Sequence, residues 1–67
     1  MKKTLRDRVI EVLGDDWEKR LEVEEKVGGV NIKIKRMLYS SELRELIRKF
    51  YAVYIRERSG QVAVRII

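Results

Sequence analysis

The chain has 67 residues, a formal net charge of +5, and neither cysteine nor histidine. A chain this short forms one domain, which we predict to span residues 1–67. Without cysteine and histidine it lacks disulfides, thiolates and the commonest acid–base group, so we expect a non-enzymatic protein without cofactor or metal. No apolar run approaches the roughly 20 residues of a membrane span, so we expect no membrane contact and a cytoplasmic location.

The first predicted helix spans about residues 4–14, where apolar side chains recur at helical spacing. Thr4 and Asp7 have the spacing of a capping box, in which each side chain binds the backbone N–H of the other residue. Gly14 is the predicted C-terminal cap. Trp17 follows, and we interpret it as a lid over the apolar side of this helix.

A first β-hairpin is predicted next, with strands at about residues 20–27 and 30–36. The Gly28-Gly29 pair lies between two runs of alternating apolar and polar residues, and a two-residue turn there pairs Val27 with Val30. The same register sets these residues opposite each other: Val23 and Ile34, Glu25 and Ile32, Glu24 and Lys33, Glu22 and Lys35. Opposite charges then face each other across the strands, which stabilises the pairing.

The last third of the chain predicts a second helix and a second hairpin. Ser40-Ser41 are candidate N-terminal caps for a helix at about residues 41–51, which has one apolar stripe. Strands at about residues 53–58 and 61–66 flank Ser59-Gly60, which is a weaker turn signal than Asn-Gly.

The two halves align as a pseudo-repeat when Gly28 is set against Gly60, with units at about residues 4–36 and 40–67. We therefore predict an α+β fold: a two-layer αββαββ domain in which two β-hairpins form one four-stranded antiparallel sheet with two helices on one face. The predicted core consists of Leu5, Val9, Val12, Leu13, Val23, Ile32, Ile34, Leu43, Leu46, Ile47, Phe50, Ile55, Val62 and Val64.

The sequence resembles parts of two known protein families. The order helix, hairpin, helix, hairpin, with Trp17 just after the first helix, resembles the early part of the pterin carbinolamine dehydratase family. That family relies on a histidine cluster, which this sequence lacks, so the resemblance implies no activity here. The helix from Ser40 through Phe50, followed by a wing tip from Glu57 to Val62, is similar to the end of a winged-helix domain, which is the alternative fold.

A binding surface is predicted on the outward side of the second hairpin. Its residues are Tyr54, Arg56, Arg58 and Arg65, with Lys33 and Lys35 as flanking contacts. Arginines contact phosphates and a tyrosine ring can stack on a base, so this set predicts binding of single-stranded RNA or DNA. Charges on the first hairpin are balanced, whereas this outward set contains no acid.

The alternative is an engineered or purely structural, self-associating α+β protein without biochemical activity. Caps, strand alternation, turn glycines and cross-strand charges agree with one another, and such consistency is typical of designed sequences. The high content of charged residues is also typical of thermostable proteins. Because a small sheet leaves strand edges unpaired, we further expect a homodimer.

Overall fold

The structure is a computed structural model that describes residues 2–50 and 53–67. Its helices and strands are, in chain order, α1 (Leu5–Val12), α2 (Trp17–Arg20), β1 (Leu21–Lys26), β2 (Gly29–Ile34), α3 (Ser40–Lys49), β3 (Val53–Arg58) and β4 (Gln61–Ile66). The predicted α+β class is confirmed, and α2 is a short additional helix that the sequence pattern did not predict. The winged-helix alternative is wrong, because β1 lies where that fold would have its second helix.

Helix α1 begins at the predicted capping box. Thr4 Oγ1 accepts a hydrogen bond from the N–H of Asp7 at 3.1 Å, and the Thr4 N–H donates to the Asp7 carboxylate at 3.2 Å. The prediction of Gly14 as a glycine cap is wrong, because Gly14 follows the C-cap residue Leu13 without the positive φ that such a cap adopts. Gly14 instead donates its N–H to Glu42 Oε2, at 2.8 Å.

Helix α3 begins without a serine cap. Its first residue is Ser40, and Tyr39 holds the N-cap position, so the prediction of Ser40-Ser41 as caps is wrong. The Glu42 carboxylate reaches back and accepts a hydrogen bond from the N–H of Tyr39 at 3.0 Å. A carboxylate suits this place because the N–H groups at a helix start have no partners within the helix.

The four strands form one sheet in the order β1-β2-β4-β3, and all neighbouring strands are antiparallel. We refer to β1 and β2 as hairpin one and to β3 and β4 as hairpin two. Hairpin two has its predicted bounds. The predicted register of hairpin one is wrong, because Val23 lies opposite Ile32 rather than Ile34, and Glu24 lies opposite Asn31.

Two adjacent glycines with different roles explain this shift. Lys26 pairs with Gly29, so the turn consists of Val27 and Gly28. Gly28 has a φ of 81°, which glycine adopts without strain. Gly29 belongs to β2, where an added Cβ would collide with the carbonyl oxygen of Ile66 in β4. Only the first glycine serves the turn, and the second allows close approach of the chain end.

The two hairpins have equivalent registers. Setting Gly28 against Gly60 makes the strand pairs and the positions of the two-residue turns coincide. In hairpin two, Ser59 and Gly60 have φ values of 54° and 79°, as a type I′ turn requires. Ile32 of β2 pairs with its repeat equivalent, Val64 of β4. An antiparallel pair of equivalent residues relates the hairpins by a pseudo-two-fold axis.

One buried cluster joins the helices to the inner side of the sheet. Its members are Val9, Leu13, Leu21, Val23, Val30, Ile32, Leu46, Phe50, Val64 and Ile66. Leu21, Val30 and Ile66 were not in the predicted core. Trp17 packs partly buried against the cluster, in agreement with its interpretation as a lid.

The core prediction is wrong at three residues. Ile47 on α3 is exposed, as are Ile55 on β3, at 59%, and Val62 on β4, at 36%. The reason lies in the placement of the helices, since α1 and α2 pack near β1 while β3 is the strand at the opposite edge. The inner side of hairpin two is therefore only partly covered.

Candidate nucleic-acid interface

The outward side of the sheet carries five of the six predicted site residues. Tyr54 of β3 lies opposite Arg65 of β4. In the neighbouring row, Arg56 lies opposite Ala63, and Ala63 lies opposite Lys33 of β2. Three strands thus contribute to one surface, which we call the basic face and define as Tyr54, Arg56, Arg58, Arg65 and Lys33.

A shallow depression of about 510 Å³ crosses the basic face. Its lining residues are Asn31, Lys33, Arg56, Glu57, Arg58, Ser59, Gln61 and Ala63. The small side chain of Ala63 lies between Lys33 and Arg56 in the same row, so the middle strand is low where its neighbours carry long basic side chains. The arrangement is a trough with cations on both sides.

Charge is distributed unequally across the sheet. Glu24 of β1 forms ion pairs with Lys26 at 3.0 Å and with Lys33 at 3.2 Å. Hydrogen bonds from these two lysines lower the pKa of Glu24 to about 2, and the Glu24 carboxylate raises the pKa of Lys33. The positive charge of Lys33 is therefore partly compensated.

The arginines of the basic face are in a different situation. Among residues 2–50 and 53–67, no carboxylate forms an ion pair with Arg56, Arg58 or Arg65. The Tyr54 side chain is about half exposed, at 52%. Among the same residues, the β3 and β4 side of the sheet thus presents guanidinium groups without an ion pair beside an accessible aromatic ring, and Glu57 is the one acidic residue that lines the depression.

Lys35 does not join the other predicted residues. Its Nζ donates a hydrogen bond to the backbone carbonyl of Glu18 in α2, at 3.1 Å. Its N–H donates to the carbonyl of Arg20 at 2.9 Å. These contacts hold Lys35 beside α2, past the end of β2, so it lies apart from the basic face.

A buried ion pair that the sequence patterns did not predict lies among the helices, away from the basic face. Arg20 and Glu42 are only 4% and 6% exposed. The guanidinium binds the carboxylate through two hydrogen bonds, of 2.8 Å and 2.9 Å. Arg20 also donates to the carbonyl of Met37 at 3.1 Å, pairs with Asp16 at 3.1 Å, and lies 4.2 Å from the ring centre of Tyr39.

We call this ion pair the clamp, because it joins three segments of the chain. Glu42 accepts from Arg20, Gly14 and Tyr39, so α3 is tied to α2 and to the loop after α1. The pKa of Glu42 is lowered to about 2, mainly by the hydrogen bonds from Arg20. The pKa of Arg20 is raised, mainly by its hydrogen bonds to Glu42. Glu42 at the third helical position was a signal in the sequence, whereas nothing there pointed to Arg20.

No metal site is evident in the part of the chain that the structure describes, where no group of three or more acidic side chains could hold an ion. Within the same residues, no helix is long and apolar enough to cross a membrane. Comparison of the chain with protein-family models, with curated proteins and with solved structures gives no significant match.

Proposed function

We propose that the protein binds single-stranded nucleic acid on the basic face. The observation that carries this proposal is the set of three arginines and one tyrosine on hairpin two, whose charges are uncompensated among the described residues. Residues of α1, α2 and α3 pack on the other side of the sheet, where the core lies, so the basic face is open to solvent. An open sheet face of this kind is a common platform for single strands.

The gradient of charge across the sheet supports a binding path over β4 and β3. The outer strand β1 presents Glu22 and Glu24, which repel phosphates. Arg56, Arg58 and Arg65 attract phosphates, and Lys33 contributes less because Glu24 already binds it. The strand of nucleic acid should therefore follow hairpin two and avoid β1.

Tyr54 supplies the contact to a base. It lies beside Arg65 in the same row, so a base stacked on the ring would have its phosphate within the field of that guanidinium. Stacking on an aromatic side chain contributes about 1–3 kcal/mol and tolerates any base. We therefore expect binding with little sequence preference.

The test is fluorescence anisotropy with labelled single strands of mixed sequence, both DNA and RNA, at several salt concentrations. Each phosphate contact adds about 0.7 to the dependence of log Kobs on log salt, so three arginines predict a slope near 2. The Tyr54→Ala variant should lose affinity by about 1–3 kcal/mol, whereas Tyr54→Phe should keep most of it.

A matched pair of variants separates the basic face from overall charge. The double variant Arg56→Glu, Arg65→Glu should bind much more weakly than the wild type. The double variant Arg44→Glu, Lys49→Glu changes the net charge by the same amount on exposed positions of α3 and should bind nearly as well. No binding at low salt would reject the function, and equal losses in both variants would reject this face.

A second candidate is a self-associating structural domain without a ligand. The observation that favours it is the exposure of Ile55 and Val62, which were predicted to be core residues. Oligonucleotide binding discriminates between the two candidates, because only the first requires it.

A further inference from the structure

The strand β3 has one unpaired edge. It pairs with β4, and the residues that the structure describes provide no strand on its other side. Arg58 and Gln61 close a two-residue turn, so their pair is hydrogen-bonded, and alternation makes Arg56 and Tyr54 the next residues that face β4. The N–H and C=O groups of Val53, Ile55 and Glu57 therefore point to the free edge.

The same strand carries exposed apolar surface on the inner side of the sheet. Ile55 pairs with the buried Val64, and Val62 pairs with Glu57, so Ile55 and Val62 are diagonal neighbours on that side. An exposed apolar pair beside an open strand edge is the surface that strand addition covers. The register is continuous, without a bulge or proline that would interrupt pairing along this edge. The charged residues Arg56, Glu57 and Arg58 restrict which strands can pair with it.

We propose that two copies of this chain pair through β3, antiparallel, about a two-fold axis at Ile55. This pairing makes one continuous eight-stranded sheet. Ile55 meets Ile55 of the second copy, and Val53 lies opposite Glu57. The proposal does not require nucleic-acid binding, because it rests on the open backbone edge and on the apolar pair of the inner side, although its register also brings Tyr54 and Arg56 of the basic face together.

The side chains of β3 select this register. On the outward side it sets Tyr54 opposite Arg56 of the second copy, twice, and an arginine beside an aromatic ring is favourable. In this register the hydrogen-bonded pairs are formed by Val53, Ile55 and Glu57, whose backbone groups face the free edge. Of the two neighbouring registers, the one centred on Arg56 would set two arginines directly opposite each other, which is destabilising. The one centred on Tyr54 would replace both Tyr54–Arg56 contacts by a single pair of tyrosines.

The other edge strand, β1, is protected against the same pairing. A two-fold axis at Val23 would set Glu22 opposite Glu24, twice, and an axis at Glu24 would set that residue opposite itself. Like charges across strands oppose both arrangements. Self-pairing is therefore specific to β3.

Head-to-tail pairing of β1 with β3 is the main competitor. It can set Glu22 opposite Arg56 and Val23 opposite Ile55, but Val23 is already buried in the core of its own copy, so the exposed Ile55 would gain no exposed apolar partner. Pairing of this kind does not close and would extend into a filament. Burial of Ile55 against Ile55 favours the closed dimer.

The first experiment measures molar mass by sedimentation equilibrium and light scattering from micromolar to millimolar concentration, since one strand pair makes a small interface. The wild type should reach the mass of a dimer and no more. Ile55→Lys should weaken dimerisation at least about tenfold, because two cations would face each other on the axis. Val27→Lys, on the fully exposed turn of hairpin one, should dimerise like the wild type.

A chain without cysteine allows the register to be tested by single substitutions. Under mild oxidation Ile55→Cys should form a disulfide-linked dimer, because directly opposed Cα atoms lie about 5.5 Å apart. Arg56→Cys should cross-link much more slowly. A monomer at all concentrations, growth beyond a dimer, equal association of Ile55→Lys and the wild type, or faster cross-linking at Arg56 would each overturn the proposal.

Discussion

Hairpins one and two have equivalent registers but differ in what covers them. Val23 is 8% exposed in hairpin one, whereas its equivalent Ile55 in hairpin two is 59% exposed. Val30 is fully buried, and its equivalent Val62 is 36% exposed. Two strands of the same pattern can therefore be core or surface, depending on the helices packed beside them.

The connection before each hairpin explains the difference. Between α1 and β1 the chain forms α2, which packs near β1 and carries Arg20 into the clamp. The carbonyl of Arg20 accepts hydrogen bonds from Lys35 and Arg36, at 2.9 Å and 3.0 Å, so the clamp also holds the open end of hairpin one. Hairpin two follows α3 within a few residues and has no such support among the described residues. The same asymmetry leaves its inner side free for a partner.

The largest expected effect comes from disrupting the clamp, which supports hairpin one. Glu42→Ala leaves the buried Arg20 charge with only the exposed Asp16 as an acidic partner, which should lower the free energy of unfolding by about 3 kcal/mol. Glu45→Ala removes only an exposed pair with Arg48, 3.5 Å long, and should cost less than about 1 kcal/mol. Urea unfolding compares the two variants. Equal unfolding midpoints would show that the clamp does not hold hairpin one.

Acid should weaken the clamp in a defined range of pH. The pKa of Glu42 is lowered in the folded protein from 4.5 to about 2, so the unfolded chain takes up the proton first as the pH falls. The stabilisation is complete above pH 4.5 and is lost as the pH falls toward about 2, which amounts to about 3 kcal/mol.

Urea unfolding at several pH values measures this loss. Glu42→Gln has no carboxylate to titrate, so its stability should vary less with pH over the same range. Glu24→Gln is the second reference, because the pKa of Glu24 is also lowered to about 2 but its side chain is partly exposed. A wild-type pH dependence that matches that of Glu42→Gln would contradict the proposed role of the clamp.

The smallest expected effect comes from the same substitution, valine to alanine, at two equivalent positions, one in each hairpin. Val30→Ala removes two buried carbons and should cost about 2 kcal/mol, including the cavity. Val62→Ala at the partly exposed position should cost less than about 1 kcal/mol when measured at low protein concentration. Thermal or urea unfolding gives both values. Similar costs would mean that hairpin two is covered as well as hairpin one.

Much of the fold followed from local patterns. The capping box at Thr4 and the strands of hairpin two were predicted from neighbouring residues alone, because caps and tight turns depend on interactions over a few positions. The turn of hairpin one was predicted wrongly, since the pattern of the strands cannot show that Gly29 is needed for a close approach to Ile66.

The candidate site was also predicted from local alternation along the strands, and the prediction failed for the residue that lies outside a strand. Alternation along β3 and β4 places Tyr54, Arg56 and Arg65 on one side of the strands whatever the rest of the chain does. The position of Lys35 depended on α2, which holds its side chain through the carbonyl of Glu18. Alternation does not determine which side of the sheet a residue faces once that residue lies past the end of a strand.

The sequence by itself determined the order of α1, α3 and the four strands, and the faces of the strands, because periodicity and turn chemistry act locally. Only the tertiary structure decided which apolar residues are buried, and it paired Arg20 with Glu42 across the chain. Burial depends on which helix lies over which strand, and that packing joins residues far apart in sequence. The exposure of Ile55 and Val62 is therefore a property of the assembled fold that strand pattern could not reveal.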